Sequence, residues 1–167
     1  MTATGALLST SEKTSPVIIL GSLPKPRQPI IVVDDSADDR LLLTRTIHSL
    51  IDPRKLVLSF SSGNEFLDYM NDLKVQNDQS PDYEIEVPEM VFLDLLMPDV
   101  DGLATLENLR RQPIWMDIPV TLVTGSRNDI AIQKAAMKGA NAFLSKPFTK
   151  AEVLMAISKK NNFSTLL

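Results

Sequence analysis

The amino-acid sequence predicts an α/β fold, a doubly wound five-stranded parallel sheet with helices on both faces. Three observations predict it. The runs Ile30-Ile-Val-Val and Met90-Val-Phe-Leu are continuously apolar rather than alternating, as expected of strands covered by helices on both sides. Strand-like runs alternate with stretches of helical pattern, which favours parallel strands joined by helical crossovers. The apolar runs end in Asp34 and Asp35, in Asp94, in Thr124 and in Lys146. A parallel sheet would gather these groups at the carboxyl ends of its strands, where open α/β sheets bind ligands.

Along the chain, residues 1–29 are rich in Ser, Thr and Pro, with Pro24, Pro26 and Pro29 closely spaced. They read as a tail and extended linker, with at most a short extra strand at 17–20. The first strand is expected at 30–34, followed by a helix over 37–50, a strand at 55–60 and a helix over 63–73. A strand at 90–94, a helix over 103–111 and a strand at 119–124 come next. Helices over 128–138 and 150–160 flank the short strand 142–145. The folded domain is therefore placed at 30–162, with 163–167 as a C-terminal tail. With right-handed crossovers, this alternation suits the flavodoxin-like strand order 2-1-3-4-5, whose ligand lies at the switch point. Asp35 and Asp94 fall there. They are 59 residues apart, and the surplus length lies in residues 71–89, which hold Asp72, Asp78, Asp82, Glu84, Glu86 and Glu89 against one Lys. That segment reads as an acidic surface insertion, tolerated because loop-closure entropy grows slowly with length.

If the strands are neighbours, three carboxylates and one ammonium share a pocket. Like charges held a few ångströms apart repel, so the carboxylates need a cation between them. A hard, oxygen-seeking ion such as Mg2+ suits that donor set, and the pocket suits a phosphoryl group.

The residues around these positions carry a family resemblance. Ile30-Ile-Val-Val-Asp-Asp35, Val91-Phe-Leu-Asp-Leu-Leu-Met-Pro-Asp-Val-Asp-Gly102, Val120-Thr-Leu-Val-Thr124-Gly and Ala142-Phe-Leu-Ser-Lys-Pro-Phe148 together resemble the receiver domain of two-component response regulators. The resemblance runs in order from Ile30 to Lys160. It implies that Asp94 is the phosphoryl acceptor, that Asp35 ligates Mg2+ directly, and that Asp34 holds a metal-bound water. The backbone carbonyl of Leu96 is the implied further ligand. Lys146 is the implied counter-charge, with a cis peptide to Pro147. Thr124 and Phe143 fill the positions of a hydroxyl and an aromatic switch, although Phe143 lacks the phenolic oxygen a tyrosine would offer. Leu96 and Ser126 would flank the path of the water that hydrolyses the acyl phosphate. The implied donors are a sensor histidine kinase or a phosphotransfer protein, and the only catalysis expected is the chain's own phosphorylation and dephosphorylation.

Composition narrows the remaining choices. There is no cysteine, which excludes disulfides and thiolate metal sites. No apolar run approaches the roughly 18 residues of a membrane span, and no signal peptide is evident, so a cytoplasmic location is expected. The formal net charge is −4. From Gly125 onward, however, seven Lys or Arg face only Asp129 and Glu152. That basic excess suits either an acidic protein surface or a solvated helix face; the surface from Asn128 to Lys160, beside the implied switch residues Thr124 and Phe143, is the expected output face, toward a protein partner or a second copy. An acidic total without an Arg-rich run argues against direct nucleic-acid binding. Only 21 residues follow Lys146, so a stand-alone receiver with no output domain is expected. Two rivals fit less well. An aspartate-nucleophile, Mg2+-dependent phosphatase wants an acid two residues after the nucleophile, where Leu96 stands. A flavin binder wants a phosphate-cradling loop where Asp34-Asp-Ser-Ala-Asp-Asp39 would repel phosphate. His48 and Trp115 read as incidental and as core, respectively.

Overall fold

The apolar runs become strands. β1 (Ile30–Val33), β3 (Met90–Asp94) and β4 (Val120–Thr124) are buried along their whole length, while β2 (Val57–Phe60) is partly exposed at the sheet edge. The structure, a computed structural model, describes residues 28–79, 87–98, 101–125, 129–159 and 164–166. With β5 (Ala142–Ser145), these strands pair in parallel in the expected order β2-β1-β3-β4-β5. A further parallel strand, β6 (Ser164–Leu166), adds to the free edge of β5. It occupies residues read from sequence as a tail, because three residues are too few to carry a periodic signal. The edge of β5 supplies the pairing that the sequence pattern cannot show.

Helices cover both faces, which is why the central strands have no polar side. On one face, Leu43 and Ile47 of α1 (Ala37–His48) and Val153 and Ala156 of α5 (Lys150–Ser158) pack with Ile30, Val32, Phe92 and Leu144. On the other, Phe66 and Met70 of α2 (Gly63–Gln79) and Leu106 and Leu109 of α3 (Gly102–Arg110) pack with Ile31, Val33, Val91 and Leu93. Ala135 of α4 (Asp129–Met137) joins the same cluster. Helix starts are set locally. Ser36 accepts from the Asp39 N–H, Asp101 from the Ala104 N–H, and Thr149 with Glu152 forms a reciprocal capping box.

The main departure from expectation is in the acidic segment. Helix α2 does not stop near residue 73 but runs to Gln79. Its last turns lack an apolar stripe, so periodicity ended the helix early; Lys74 Nζ donates to Gln112 Oε1 at 3.0 Å and ties that part of α2 to the turn after α3. Glu89 is not part of a loop acid cluster either. Its carboxylate pairs with Lys55, and its N–H donates to the Pro29 carbonyl at 2.9 Å. Residues 1–27, including the run at 17–20, lie outside the described residues, as do residues 80–86. No helix among the described residues is long and apolar enough to cross a membrane.

Candidate functional site

The sheet brings the strand-end residues together. β1 and β3 are hydrogen-bonded neighbours, with Val33 opposite Leu93, so Asp34 and Asp94 leave the sheet side by side. Asp34 is fixed from three directions. Its N–H donates to the Phe60 carbonyl at 3.2 Å, its Oδ1 accepts the Ser36 N–H at 2.9 Å, and its carbonyl accepts Arg40 Nη1 at 2.6 Å. Asp34 and Asp94 are buried and Asp35 is exposed, yet one carboxylate oxygen of each lies within 4.8 Å of the others.

Lys146 closes this group from β5. Its N–H donates to the Thr124 carbonyl at 2.8 Å, which anchors the end of β5 to the end of β4. The peptide to Pro147 is cis. Lys146 Nζ lies 2.8 Å from Asp34 Oδ2, 2.9 Å from Asp39 Oδ2 and 3.3 Å from Asp94 Oδ1. Burial alone would lower the affinity of that ammonium for its proton; hydrogen bonds to Asp34 and Asp39 and the charge of Asp94 outweigh it and raise the lysine above its ordinary value. Asp94 is pushed up to about 6, chiefly by burial and further by Asp34 and Asp35, with Lys146 opposing the rise. A carboxylate so disfavoured as an anion gains most from a neighbouring cation. The all-oxygen donors fit a hard divalent ion.

The turn after β3 is built around a close approach. The Gly102 N–H donates to the Leu95 carbonyl at 3.1 Å. A Cβ on Gly102 would sit 2.1 Å from the Asp94 carbonyl oxygen, so only glycine lets α3 start this close to the strand end.

A sequence model described as the response regulator receiver domain matches residues 30–158. The chain belongs to that family. It is 32% identical over 89 residues to the transcriptional regulatory protein KdpE of Staphylococcus aureus, covering 52% of this chain but 37% of that protein. It is 26% identical over 132 residues to the two-component response regulator ORR3 of Oryza sativa, covering 79% of this chain and 89% of that one. Among solved structures, the bacteriophytochrome response regulator AtBRR is 33% identical with a TM-score of 0.64, covering 86% of this chain and 99% of that one.

The other positions singled out from this receiver sequence have mixed placements. Thr124 is buried at the end of β4. Phe143 is also buried, in the cluster that contains Leu122 and Ala135. The aromatic side chain at the implied switch position therefore points inward. Leu96, two residues past Asp94, is 63% exposed. Ser126 and Asn128 lie outside the described residues. His48 is exposed at the end of α1, away from the strand ends, and Trp115 is core.

Sequence reading missed Asp39. It is the third residue of α1, where a side chain leans back toward the helix start and so reaches Lys146. The signal was there to find: an acid three residues after the capping Ser36, in the first turn of the helix that follows the double Asp.

Proposed function

We propose that this receiver takes a phosphoryl group from a histidine kinase or phosphotransfer protein onto Asp94 and signals through protein contacts or onward relay. The observation that carries this reading is the convergence of Asp34, Asp35 and Asp94 within 4.8 Å, with the Lys146 ammonium 3.3 Å from Asp94 Oδ1. Asp94 presents an oxygen for attack on phosphorus. A P–O bond to Asp94 forms as the P–N bond to the donor imidazole breaks; the electron pair goes to that nitrogen, which takes a proton from solvent. Lys146 balances charge on the acceptor before transfer and on the phosphoryl oxygens after it. Thr124 supplies a hydroxyl at the adjoining strand end.

Asp34, Asp35 and Asp94, with the Leu96 carbonyl, would hold Mg2+. When bound, that ion supplies neutralisation of the negative charge that would otherwise oppose one anion approaching another. On this reading the chain acts on no substrate but its own acyl phosphate and works in the cytoplasm. A phosphatase with an aspartate nucleophile is disfavoured because Leu96 offers no acid.

Intact mass after incubation with Mg2+ and a small phosphodonor tests the assignment. The native chain is expected to gain one phosphoryl group and Asp94→Ala none. A phosphorylated Asp94→Ala would move the acceptor elsewhere.

A further inference from the structure

A lysine ammonium has three N–H donors, and the three carboxylates nearest Lys146 are Asp34, Asp39 and Asp94, at 2.8, 2.9 and 3.3 Å. Asp34 and Asp94 belong to the carboxylate group described above. Asp39 lies outside it. We propose that Asp39 is a positioning residue: it latches the Lys146 ammonium to α1 in the unphosphorylated protein and releases it when a phosphoryl group arrives on Asp94. This rests on the reading of Asp94 as acceptor.

The argument turns on which partner Lys146 gives up. New phosphoryl oxygens beside Asp94 carry more negative charge than the carboxylate they extend, and the ammonium must turn toward them. Asp34 is the harder partner to abandon, because its side chain is only 3% exposed and water is poorly placed to replace the ammonium's hydrogen bond there. The Asp39 side chain is 41% exposed, so water takes the place of the lysine at little cost. Asp39 is also held in place before and after release, because its N–H donates to the Ser36 hydroxyl at 3.3 Å. The lysine stem is flexible and its head is a compact charge, so the exchange needs no backbone movement. Asp39 therefore biases the resting state without blocking the loaded one.

Asp39→Ala removes the latch. Asp38, exposed in the same helical turn, gives the control, since Asp38→Ala makes the same change in net charge. Beryllofluoride, which mimics the acyl phosphate, is titrated calorimetrically into each protein at saturating Mg2+. Asp39→Ala is expected to bind it about three- to fivefold more tightly, the scale of a half-exposed ion pair, and Asp38→Ala within about twofold of the native protein. In the free protein, the ammonium NMR signal of Lys146 is expected to shift in Asp39→Ala and not in Asp38→Ala. Equal gains in both variants would show a through-space charge effect and overturn the latch. Unchanged or weaker binding in Asp39→Ala, or an unshifted lysine signal, would overturn it too. A native protein that binds no beryllofluoride overturns the acceptor reading and the latch together, whereas native binding with an unaffected Asp39→Ala overturns the latch alone.

Discussion

At the scale of single residues, the energetics of the site concentrate on Asp94. Its carboxyl is pushed up to about 6 by burial, and by Asp34 and Asp35, against the pull of Lys146. Without metal, the folded state keeps this proton at pH values where the unfolded chain, titrating near the ordinary 3.8, has released it. Binding more protons when folded, the protein loses stability as pH rises from about 4 to about 6. Asp94→Asn removes that contribution. In chelator, the gain in denaturation midpoint from Asp94→Asn is therefore expected to be larger at pH 7 than at pH 4.5, and a gain independent of pH would contradict the raised value. On the proposed function, Leu96 would bear on the lifetime of the phosphorylated state. It is exposed two residues past the proposed acceptor and can neither orient nor deprotonate an attacking water, so slow self-hydrolysis is expected. Leu96→Asn restores an amide able to orient water. Phosphoryl decay is expected to quicken by about tenfold, equivalent to about 1.4 kcal/mol of barrier, and equal or slower decay would remove Leu96 from that role.

At the scale of elements, the critical joint is the turn from β3 into α3. Gly102 is in contact with the Asp94 carbonyl, and the Asp101 carboxylate accepts the Ala104 N–H at 2.7 Å to start the helix. Asp94 and the first turn of α3 are thus fixed to one another. Gly102→Ala is expected to cost about 3 kcal/mol through forced separation of packed backbone, read as a lower urea midpoint. Gly125→Ala supplies the comparison, since a Cβ there meets nothing within 4 Å, and a shift under about 1 kcal/mol is expected. Similar losses at both sites would mean that the close approach at Gly102 is relieved cheaply.

Across the whole molecule, the basic C-terminal third is less uniform than its charge count suggests. Lys138 is paired with Glu107 of α3, and Lys146 is committed to the acidic group. Lys134 is exposed on α4 and is the cleaner probe of the proposed output face. Lys134→Glu is expected to weaken association of the beryllofluoride-loaded protein, with itself or with a partner, by about three- to tenfold at low salt. Phosphorylation should persist. Sedimentation and intact mass separate the two effects, and unchanged association would move the output surface off α4. Behind that face, Arg110 of α3 donates to the Gly139 carbonyl at 3.1 and 2.8 Å and to Asn141 Oδ1 at 3.1 Å. Asn141 Oδ1 also accepts the Val120 N–H at 2.8 Å. This network joins α3 to the starts of β4 and β5.

The sequence by itself determined strands β1 to β5, their parallel order and the pooling of Asp34, Asp35, Asp94 and Lys146. Continuous apolar runs and strand-end charges are local signals, and the chirality of crossovers leaves few ways to assemble them. The last turns of α2 and the strand β6 were not legible, because neither carries an apolar pattern of its own; one is tied down by Lys74 and Gln112, the other by the edge of β5. The state of Phe143 was equally hidden, since burial depends on what α4 packs against rather than on the residue's place in β5. Asp39 shows the same limit inside the site. Its identity and helical position were plain, but its bond to Lys146 joins residues 107 positions apart. Only the folded sheet, by bringing the carboxyl end of β5 and the start of α1 to the same end of the parallel sheet, turns that separation into 2.9 Å.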